Sequence, residues 1–300
     1  MKPRIYSCIV LALGLILNSC GGDDEISQEA QLEVDIQKIN NYITTQGLQN
    51  VQSTESGLHY IVTKEGTGNF HSDNNNVVVV NYEGRLLNGD KFDSSIDRGT
   101  PFTFTLGVGQ VIGGWDEGIA LFSEESEFTL IIPSSLAYGT RGTGSIGANE
   151  VLVFDIKIFS DNELLARDVE SIEAYIESIS LTGVQTTDSE LRYVITEPGS
   201  GDLIKFGDEV SVSYIGYFLG GGIFARTLPE QTFDFTVGLD DVIDGWDESM
   251  SFLKPGAEGT FLLPSKIAYG RVGALNEFGE QIIFPNEPII YEISVVSVNE

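Results

Sequence analysis

One short stretch occurs twice in this chain, and the repetition limits what the chain can fold into. Residues 111–118 read Val-Ile-Gly-Gly-Trp-Asp-Glu-Gly, and residues 242–248 read Val-Ile-Asp-Gly-Trp-Asp-Glu. The two stretches hold the only 2 tryptophans of the 300-residue chain, Trp115 and Trp246. A chain of this length can bury one large core or two ordinary ones, and the repeat favours two. The sequence therefore predicts one domain written twice.

Each copy begins with apolar residues at helical spacing. In the first copy these residues are Val34, Ile36, Ile39 and Ile43, and the pattern recurs at residues 168–179. Such spacings predict a short amphipathic helix in front of each domain. The predicted boundaries are residues 32–160 for the first domain and 161–300 for the second.

The rest of each copy has the pattern of short strands joined by tight turns. Glycine accounts for 34 residues and clusters beside runs of Val, Ile, Phe and Tyr. Residues 102–106 and 233–237 alternate apolar and polar side chains, which predicts strands with one buried face. We expect an α+β fold in each copy, with about five strands in an antiparallel sheet wrapped around one short helix. Four aromatic residues are assigned to core packing: Tyr60, Phe104, Phe122 and Phe128.

The N-terminus has the pattern of an export signal. Lys2 and Arg4 precede an apolar run at residues 5–17, which has the length of a signal-peptide core and is short for a membrane span. The run ends in Leu-Asn-Ser-Cys at residues 17–20, which resembles the lipobox of bacterial lipoproteins. We expect a signal peptide at residues 1–19, lipid on Cys20 and an acidic tether at residues 20–31. An ordinary secretory cleavage site is the alternative.

Charge and composition exclude several classes of function. The formal net charge is −29, so a polyanionic nucleic acid is an unfavourable partner. A G-x-G-x-x-G match at residues 142–147 precedes a strand and opens no helix, which excludes a dinucleotide site. Two histidines and the spacing of the aspartates around residue 244 fit neither a zinc nor a calcium site. No metal or cofactor is expected.

The repeated motifs resemble those of the FKBP-type peptidyl-prolyl cis-trans isomerases, over nearly all of the chain after the tether. In the first copy the motifs are Tyr82-x-Gly84, Phe92-Asp93-Ser94-Ser95, Val111-Ile112-x-x-Trp115, Ala137-Tyr138-Gly139 and Val153-Phe154-Asp155. The resemblance implies a monomeric isomerase that acts on proline-containing unfolded or exported polypeptides. Macrolide inhibitors of the family are further expected ligands.

The resemblance also implies a binding pocket in the first copy. Its catalytic residues would be Asp93, Tyr138, Trp115, Phe92 and Ile112. Its substrate-binding residues would be Tyr82, Arg98, Phe102, Val111, Ile146 and Phe154. In the family, the substrate proline rests on the indole equivalent to Trp115, and the Ile112 N–H and the Tyr138 hydroxyl bind ligand carbonyls. Asp93 orients the polar side of the pocket.

Such a pocket suits rotation about an X-Pro bond. Rotation breaks amide resonance against a barrier of about 18–20 kcal/mol, and no covalent bond is made. An apolar enclosure disfavours the more polar planar amide relative to the twisted transition state. Hydrogen bonds to the flanking peptide then hold the proline in place.

The second copy keeps the apolar residues of the pocket. These residues are Tyr214, Phe224, Phe233, Val242, Ile243, Trp246, Tyr269, Ile283 and Tyr291. Ala225 stands where Asp93 stands in the first copy, and no arginine clearly matches Arg98. We therefore expect a weak or inactive second site that can still bind apolar or proline-containing peptides. Residues 278–285 lengthen its rim, while the loop after Tyr138 in the first copy is short.

The leading hypothesis is an isomerase that assists folding of envelope or exported proteins, anchored by lipid to a bacterial membrane. The outer membrane is favoured, and the protein would face the periplasm or the cell surface. The alternative is a peptide-binding chaperone or adaptor lipoprotein without useful turnover. Carbohydrate capture is a third hypothesis, supported only by the expected location and the aromatic residues.

Overall fold

A computed structural model describes residues 27–69 and 76–299. The predicted signal peptide, Cys20 and most of the predicted tether lie outside this part of the chain. The first copy contains α1 (Gln28–Gln46), β1 (Gln52–Ser53), β2 (His59–Lys64), β3 (Val77–Leu86), β4 (Lys91–Ser94), α2 (Ser95–Arg98), β5 (Phe102–Thr105), α3 (Gly113–Ile119), β6 (Glu127–Ile132), a 3-10 helix (Ser134–Leu136) and β7 (Leu152–Ile158).

The second copy repeats this order and adds a hairpin. It contains α4 (Asp161–Ser178), β8 (Gln185–Thr186), β9 (Arg192–Pro198), β10 (Glu209–Phe218), β11 (Ile223–Arg226), β12 (Phe233–Thr236), α5 (Asp244–Met250), β13 (Ala257–Leu263), a 3-10 helix (Ser265–Ile267), β14 (Ala274–Leu275), β15 (Gln281–Ile283) and β16 (Ile289–Asn299). Within the part of the chain described, no helix is both long and apolar enough to cross a membrane.

Each copy forms one antiparallel sheet, which confirms the predicted α+β class. The strand order is β1-β2-β6-β7-β3-β4 in the first copy, with β5 also paired to β3. The second copy has the order β8-β9-β13-β16-β10-β11, with β12 paired to β10. Each sheet has seven strands rather than about five, because a two-residue edge strand and short strands beside the pocket add to it. An edge strand of two residues, such as β1 or β8, has no alternation to reveal it in the sequence.

The core of each copy lies between the sheet and the short helix that carries the tryptophan. In the first copy, α3 lies so close to β6 that a Cβ atom on Gly114 would stand 2.4 Å from Ile132. Gly245 of α5 has the same relation to Leu263 of β13, again at 2.4 Å. The second glycine of the repeated motif is therefore required for close packing of helix on sheet. Phe104, Phe122 and Phe128 lie in this core, as predicted.

The helix in front of each domain packs on the opposite face of the sheet. Ile39 of α1 contacts Ile131, Val151 and Val153, and Ile172 of α4 contacts Leu262 and Ile290. Side chains alternate between the faces of a strand, so Ile131 faces α1 while its neighbours in β6 face the core. α1 begins at Gln28, inside the predicted tether, because the Ser27 hydroxyl caps it by accepting a 3.2 Å hydrogen bond from the Ala30 N–H. With 19 and 18 residues, α1 and α4 are longer than the predicted short helices.

A buried aspartate on each of these helices holds the loop that follows the strand beneath it. Asp35 is fully buried and accepts a 2.8 Å hydrogen bond from the Ser134 N–H. Asp168 accepts hydrogen bonds from the N–H and the hydroxyl of Ser265, at 2.7 and 2.5 Å. The outer helix therefore fixes the start of the segment that leads to Tyr138 or Tyr269.

The two copies contact each other through the start of α4, Arg271 and Asn286. Phe159, just before α4, and Leu164, in its first turn, pack on Val79 of the first sheet. Arg271 of the second copy donates to Asp161 at 2.8 Å, to Glu124 at 2.7 Å and to the Val77 carbonyl at 3.2 Å. The first and second sheets are thus joined by packed and hydrogen-bonded contacts as well as by the chain.

Candidate functional site

A cavity of about 440 Å³ opens between α3, β3, β4 and β5 of the first copy. Nine of the eleven residues assigned to the pocket from the sequence line it: Tyr82, Phe92, Asp93, Phe102, Val111, Ile112, Trp115, Tyr138 and Phe154. The fold therefore brings together residues from six separate segments of the chain at one concave surface. Cavities of this size and aromatic character are typical of small-ligand sites.

Trp115 forms the floor of this cavity and is held by rings on three sides. Its ring centroid lies 5.0 Å from that of Tyr82, 5.2 Å from Phe154 and 6.0 Å from Phe102. All three pairs are edge-to-face, the geometry that aromatic quadrupoles favour by about 0.5–1.5 kcal/mol per pair. Trp115 is 4% exposed, and among the described residues its indole N–H has no hydrogen-bond partner. The floor is rigid and apolar.

The glycine of the Tyr-x-Gly motif makes room for the wall of the cavity. Gly84 pairs with Phe154 of β7 on one side and with Asp93 of β4 on the other. A Cβ atom on Gly84 would stand 2.7 Å from the rings of Phe92 and Phe154. Those two rings can meet edge-to-face at 5.5 Å only because the position carries no side chain.

The polar side of the cavity is a network of three side chains. The Tyr82 hydroxyl donates to the Asp93 carboxylate, and Arg98 pairs with the same carboxylate. Arg98 also donates to the Tyr82 hydroxyl at 2.9 Å. Burial would raise the pKa of Asp93, but hydrogen bonds from Tyr82 and Arg98 outweigh it and lower that pKa. Asp93 is therefore a fixed negative charge at the edge of an apolar site.

Two hydrogen-bond donors face the cavity without protein partners. The Tyr138 hydroxyl makes no hydrogen bond to the described residues, and Tyr138 is 38% exposed. Burial and then the negative charge of Asp93 raise the pKa of Tyr138, so its hydroxyl keeps its proton. The Ile112 N–H, just before α3, likewise donates to no acceptor in the described chain. Both groups are free to bind carbonyl oxygens of a ligand.

Two predicted residues lie outside the lining, and one lining residue was not predicted. Arg98 reaches the site only through Asp93 and Tyr82, and Ile146 is buried in the core behind it. Gln110 does line the cavity, and its side-chain carbonyl accepts a 2.7 Å hydrogen bond from the Thr105 N–H. Its position directly before Val111 was the available signal.

The second copy builds the same aromatic frame around Trp246. Its ring centroid lies 5.0 Å from those of Tyr214 and Tyr291, and 5.7 Å from that of Phe233. All three contacts are again edge-to-face. Each copy therefore has an aromatic bowl, which is the set of rings around Trp115 in the first copy and around Trp246 in the second.

Comparison with known families agrees with the division of the chain into two copies. The family model for the FKBP-type peptidyl-prolyl cis-trans isomerase matches this chain twice, at residues 68–159 and 201–296. The chain belongs to the FKBP family. It consists of tandem FKBP domains, as the repeated motifs predicted.

Individual relatives match about one domain. An FKBP-type peptidyl-prolyl cis-trans isomerase FkpA from Aeromonas hydrophila is 52% identical over 112 residues, covering 37% of this chain and 41% of the relative. A probable FkpA from Neisseria meningitidis serogroup B is 50% identical over 109 residues, covering 36% and 39%. FK506-binding protein 1 from Candida glabrata is 42% identical over 112 residues, covering 37% of this chain and 98% of the relative. The chain thus spans about two-fifths of the length of the two FkpA proteins.

The second FKBP domain lacks the charged network of the first. Ala225 pairs with Gly216 as Asp93 pairs with Gly84, so the two positions are equivalent in the fold. The helical turn α2, which carries Arg98, has no counterpart after β11. Val242 and Ile243 pack partly buried against the second core, and Ile283 is 1% exposed. The second site keeps the aromatic frame without the charged pair, and its polar groups include the hydroxyls of Tyr269 and Tyr291, 3.2 Å apart.

Proposed function

We propose that this protein is a peptidyl-prolyl cis-trans isomerase in which the first FKBP domain carries turnover. The observation that carries the proposal is the cavity over Trp115, which combines an aromatic floor, two free donors and the Asp93 network. The frame is duplicated, but the charged network is found in the first copy alone among the described residues. The relatives named as isomerases support the reaction type.

The mechanism follows from what the cavity offers a proline. The ring rests on Trp115 between Tyr82 and Phe102, where water is excluded. The planar X-Pro amide has the larger dipole, so an apolar enclosure destabilises it relative to the twisted transition state. The Ile112 N–H and the Tyr138 hydroxyl bind the flanking carbonyls and hold them while the bond rotates. Asp93 fixes Tyr82 and takes no proton, since its pKa is lowered.

Substitution of Asp93 tests the proposed function. Asp93→Ala removes the anchor of Tyr82 and Arg98, both of which are held by charge-assisted hydrogen bonds. We expect kcat/KM for a proline-containing peptide to fall roughly tenfold to hundredfold. Asp97→Ala is the matched control, because Asp97 lies on the same helical turn, outside the lining, and pairs with Lys91. Equal effects of the two substitutions would contradict the assignment.

The proposal that the first domain carries turnover is tested by removing one tyrosine hydroxyl from each domain. Tyr138→Phe removes a free donor from the first bowl, so kcat/KM should fall about threefold to tenfold, the range of one neutral hydrogen bond. Tyr269→Phe makes the same change in the second bowl and should alter the rate far less. Similar losses from both variants would show that the domains share the reaction.

The proposed clients and location follow from the N-terminal sequence. We propose that the chain is exported, acylated at Cys20 and held as a monomer at a bacterial membrane, preferably the outer membrane. There it would act on unfolded or exported proteins that contain proline, and macrolides of the family would inhibit it. Metabolic labelling with a fatty acid should mark the wild type and not Cys20→Ser; labelling of both would contradict the anchor.

A further inference from the structure

The two bowls differ at the floor by one oxygen atom. Phe154 and Tyr291 occupy equivalent positions, since each pairs with the glycine of its Tyr-x-Gly motif, Gly84 or Gly216. Both rings stand edge-on to the tryptophan, with centroids 5.2 and 5.0 Å from it. The second copy therefore adds a hydroxyl without moving the ring.

That hydroxyl has a partner that belongs to the binding surface. Tyr291 is 3% exposed, and its oxygen lies 3.2 Å from the hydroxyl of Tyr269. Tyr269 is the counterpart of Tyr138, whose hydroxyl is free and whose side chain is 38% exposed. Tyr269 is instead partly buried. The bond to Tyr291 holds the Tyr269 hydroxyl against the ring that stands edge-on to Trp246.

A third tyrosine belongs to the same frame, since the Tyr214 ring lies 5.0 Å from Trp246 and 5.8 Å from Tyr291. In the first copy the Tyr82 hydroxyl is bound by Asp93 and Arg98 at the rim. Tyr214 has no such partners among the described residues, and burial followed by the nearby Tyr269 raises its pKa. Burial and then Tyr269 also raise the pKa of Tyr291 far above the ordinary value. Tyr214 and Tyr291 therefore keep their protons beside Trp246, and Tyr291 is hydrogen-bonded to Tyr269.

The loop that carries Tyr269 is held at both ends by the first domain. Arg271, two positions after Tyr269, bonds to Glu124 and the Val77 carbonyl of the first domain, and also to Asp161 at the start of α4. Asn286, near the other end, donates to the Thr103 hydroxyl at 3.2 Å. These contacts oppose an outward swing of Tyr269 that would break its bond to Tyr291.

We propose that Tyr291 closes the second bowl to proline, by holding Tyr269 across the floor on which the ring would rest. This inference rests on the proposed function of the first bowl. A proline ring presents only CH₂ groups to the floor, so its entry must either break the Tyr269–Tyr291 bond or cover it without replacing it. The loss of Asp93 weakens orientation in the second domain, whereas Tyr291 prevents entry.

The two tryptophans allow each bowl to be observed separately in the full chain. Each indole N–H gives one proton–nitrogen NMR signal, and a capped four-residue peptide with a central proline serves as the probe. In the wild type we expect the peptide to shift the Trp115 signal in a saturable way and to leave the Trp246 signal unchanged. Tyr291→Phe should make the Trp246 signal respond, with affinity at least about tenfold above that of the wild-type bowl. Ala225→Asp alone should not.

The reciprocal variant and a matched control complete the test. Phe154→Tyr should weaken the response of Trp115 by about tenfold. Tyr193→Phe is the control, because its hydroxyl bonds to Gln185 in the same sheet but outside the bowl. Dispersed spectra establish that each variant is folded. A silent Trp246 signal in folded Tyr291→Phe overturns this inference, whatever Trp115 does. A silent Trp115 signal in the wild type overturns the proposed function instead.

Discussion

At the scale of single residues, the site depends on groups that are absent as much as on groups that are present. Gly84 illustrates this, because any side chain there would enter the space shared by Phe92 and Phe154. Among the described residues of the first copy the Tyr138 hydroxyl has no partner, whereas in the second copy the equivalent Tyr269 hydroxyl is paired with that of Tyr291. The capacity to bind a ligand therefore depends on the space beside Gly84 and on the availability of the Tyr138 hydroxyl.

Gly84→Ala should damage the first domain through overpacking. The new methyl group would stand 2.7 Å from two rings whose backbones are fixed in the sheet, so the cost should be about 1–3 kcal/mol. The midpoint of chemical unfolding and kcat/KM should both fall. Gly220→Ala is the control, since a Cβ atom there meets nothing within 4 Å. An unfolding midpoint for Gly84→Ala equal to that of the control would show that the wall can relax.

The lowered pKa of Asp93 predicts how the site responds to acid. An aspartate whose folded pKa lies below its unfolded value contributes above the unfolded value, and the contribution is lost only as pH falls through the folded pKa. Turnover should therefore be flat from about pH 8 to about pH 5, above the ordinary carboxyl range. Arg98→Gln removes a charge that holds the pKa down, so the acid limb should move to higher pH. A wild-type midpoint between pH 5 and 7 would contradict this arrangement.

At the scale of the secondary-structure elements, the sequence predicts strands and the helix that carries the tryptophan, but not the buried hydrogen bonds that join these elements. Residues 102–106 alternate and form β5, whereas β1 has only two residues and therefore no period to detect. Asp35 lies on the same helix face as Ile39 and Ile43, four and eight positions later, although a carboxylate is ordinarily exposed. It is fully buried because the Ser134 N–H needs an acceptor.

Prediction of the site was limited in the same physical way. The family resemblance implies eleven pocket residues, and nine of them line one cavity, because the motifs that carry them fold onto the same concave surface. The sequence predicts Tyr291 as part of an apolar bowl, because it does not show which group the Tyr291 hydroxyl contacts. The inter-domain contacts of Arg271 follow from no local period and could be seen only in three dimensions.

Asp168→Asn tests the hydrogen bonds between Asp168 of α4 and Ser265 by the pH dependence of stability. Burial raises the pKa of Asp168, and burial with the charge of Asp168 raises that of Glu287. Groups of this kind stabilise the fold fully below the unfolded pKa and lose that contribution as pH rises through the folded pKa. Asparagine keeps an acceptor for Ser265 without a charge to bury. The variant should therefore gain in Tm over the wild type at pH 7.5 and lose that gain near pH 4.

The equivalent contact in the first copy, between Asp35 and Ser134, offers the matched control. Lys38 lies 3.4 Å from the Asp35 carboxylate, so Asp35→Asn leaves a cation without its partner. We expect that variant to lose stability at pH 7.5, where Asp168→Asn gains. If both variants changed stability at pH 7.5 in the same direction, Lys38 would not be what distinguishes the two aspartates.

At the scale of the whole molecule, Arg271 decides whether two FKBP domains unfold as one unit. Its side chain is 17% exposed and that of Glu124 is 9% exposed, so truncation leaves a buried carboxylate unpaired, at a cost of about 3–5 kcal/mol. Arg271→Ala should split one calorimetric transition into two and increase the radius of gyration measured by small-angle scattering. Arg141→Ala, an exposed arginine of the first domain, should do neither. Two independent transitions already in the wild type would show that the contacts around Arg271 do not couple the domains, and the loop carrying Tyr269 would then be free to open.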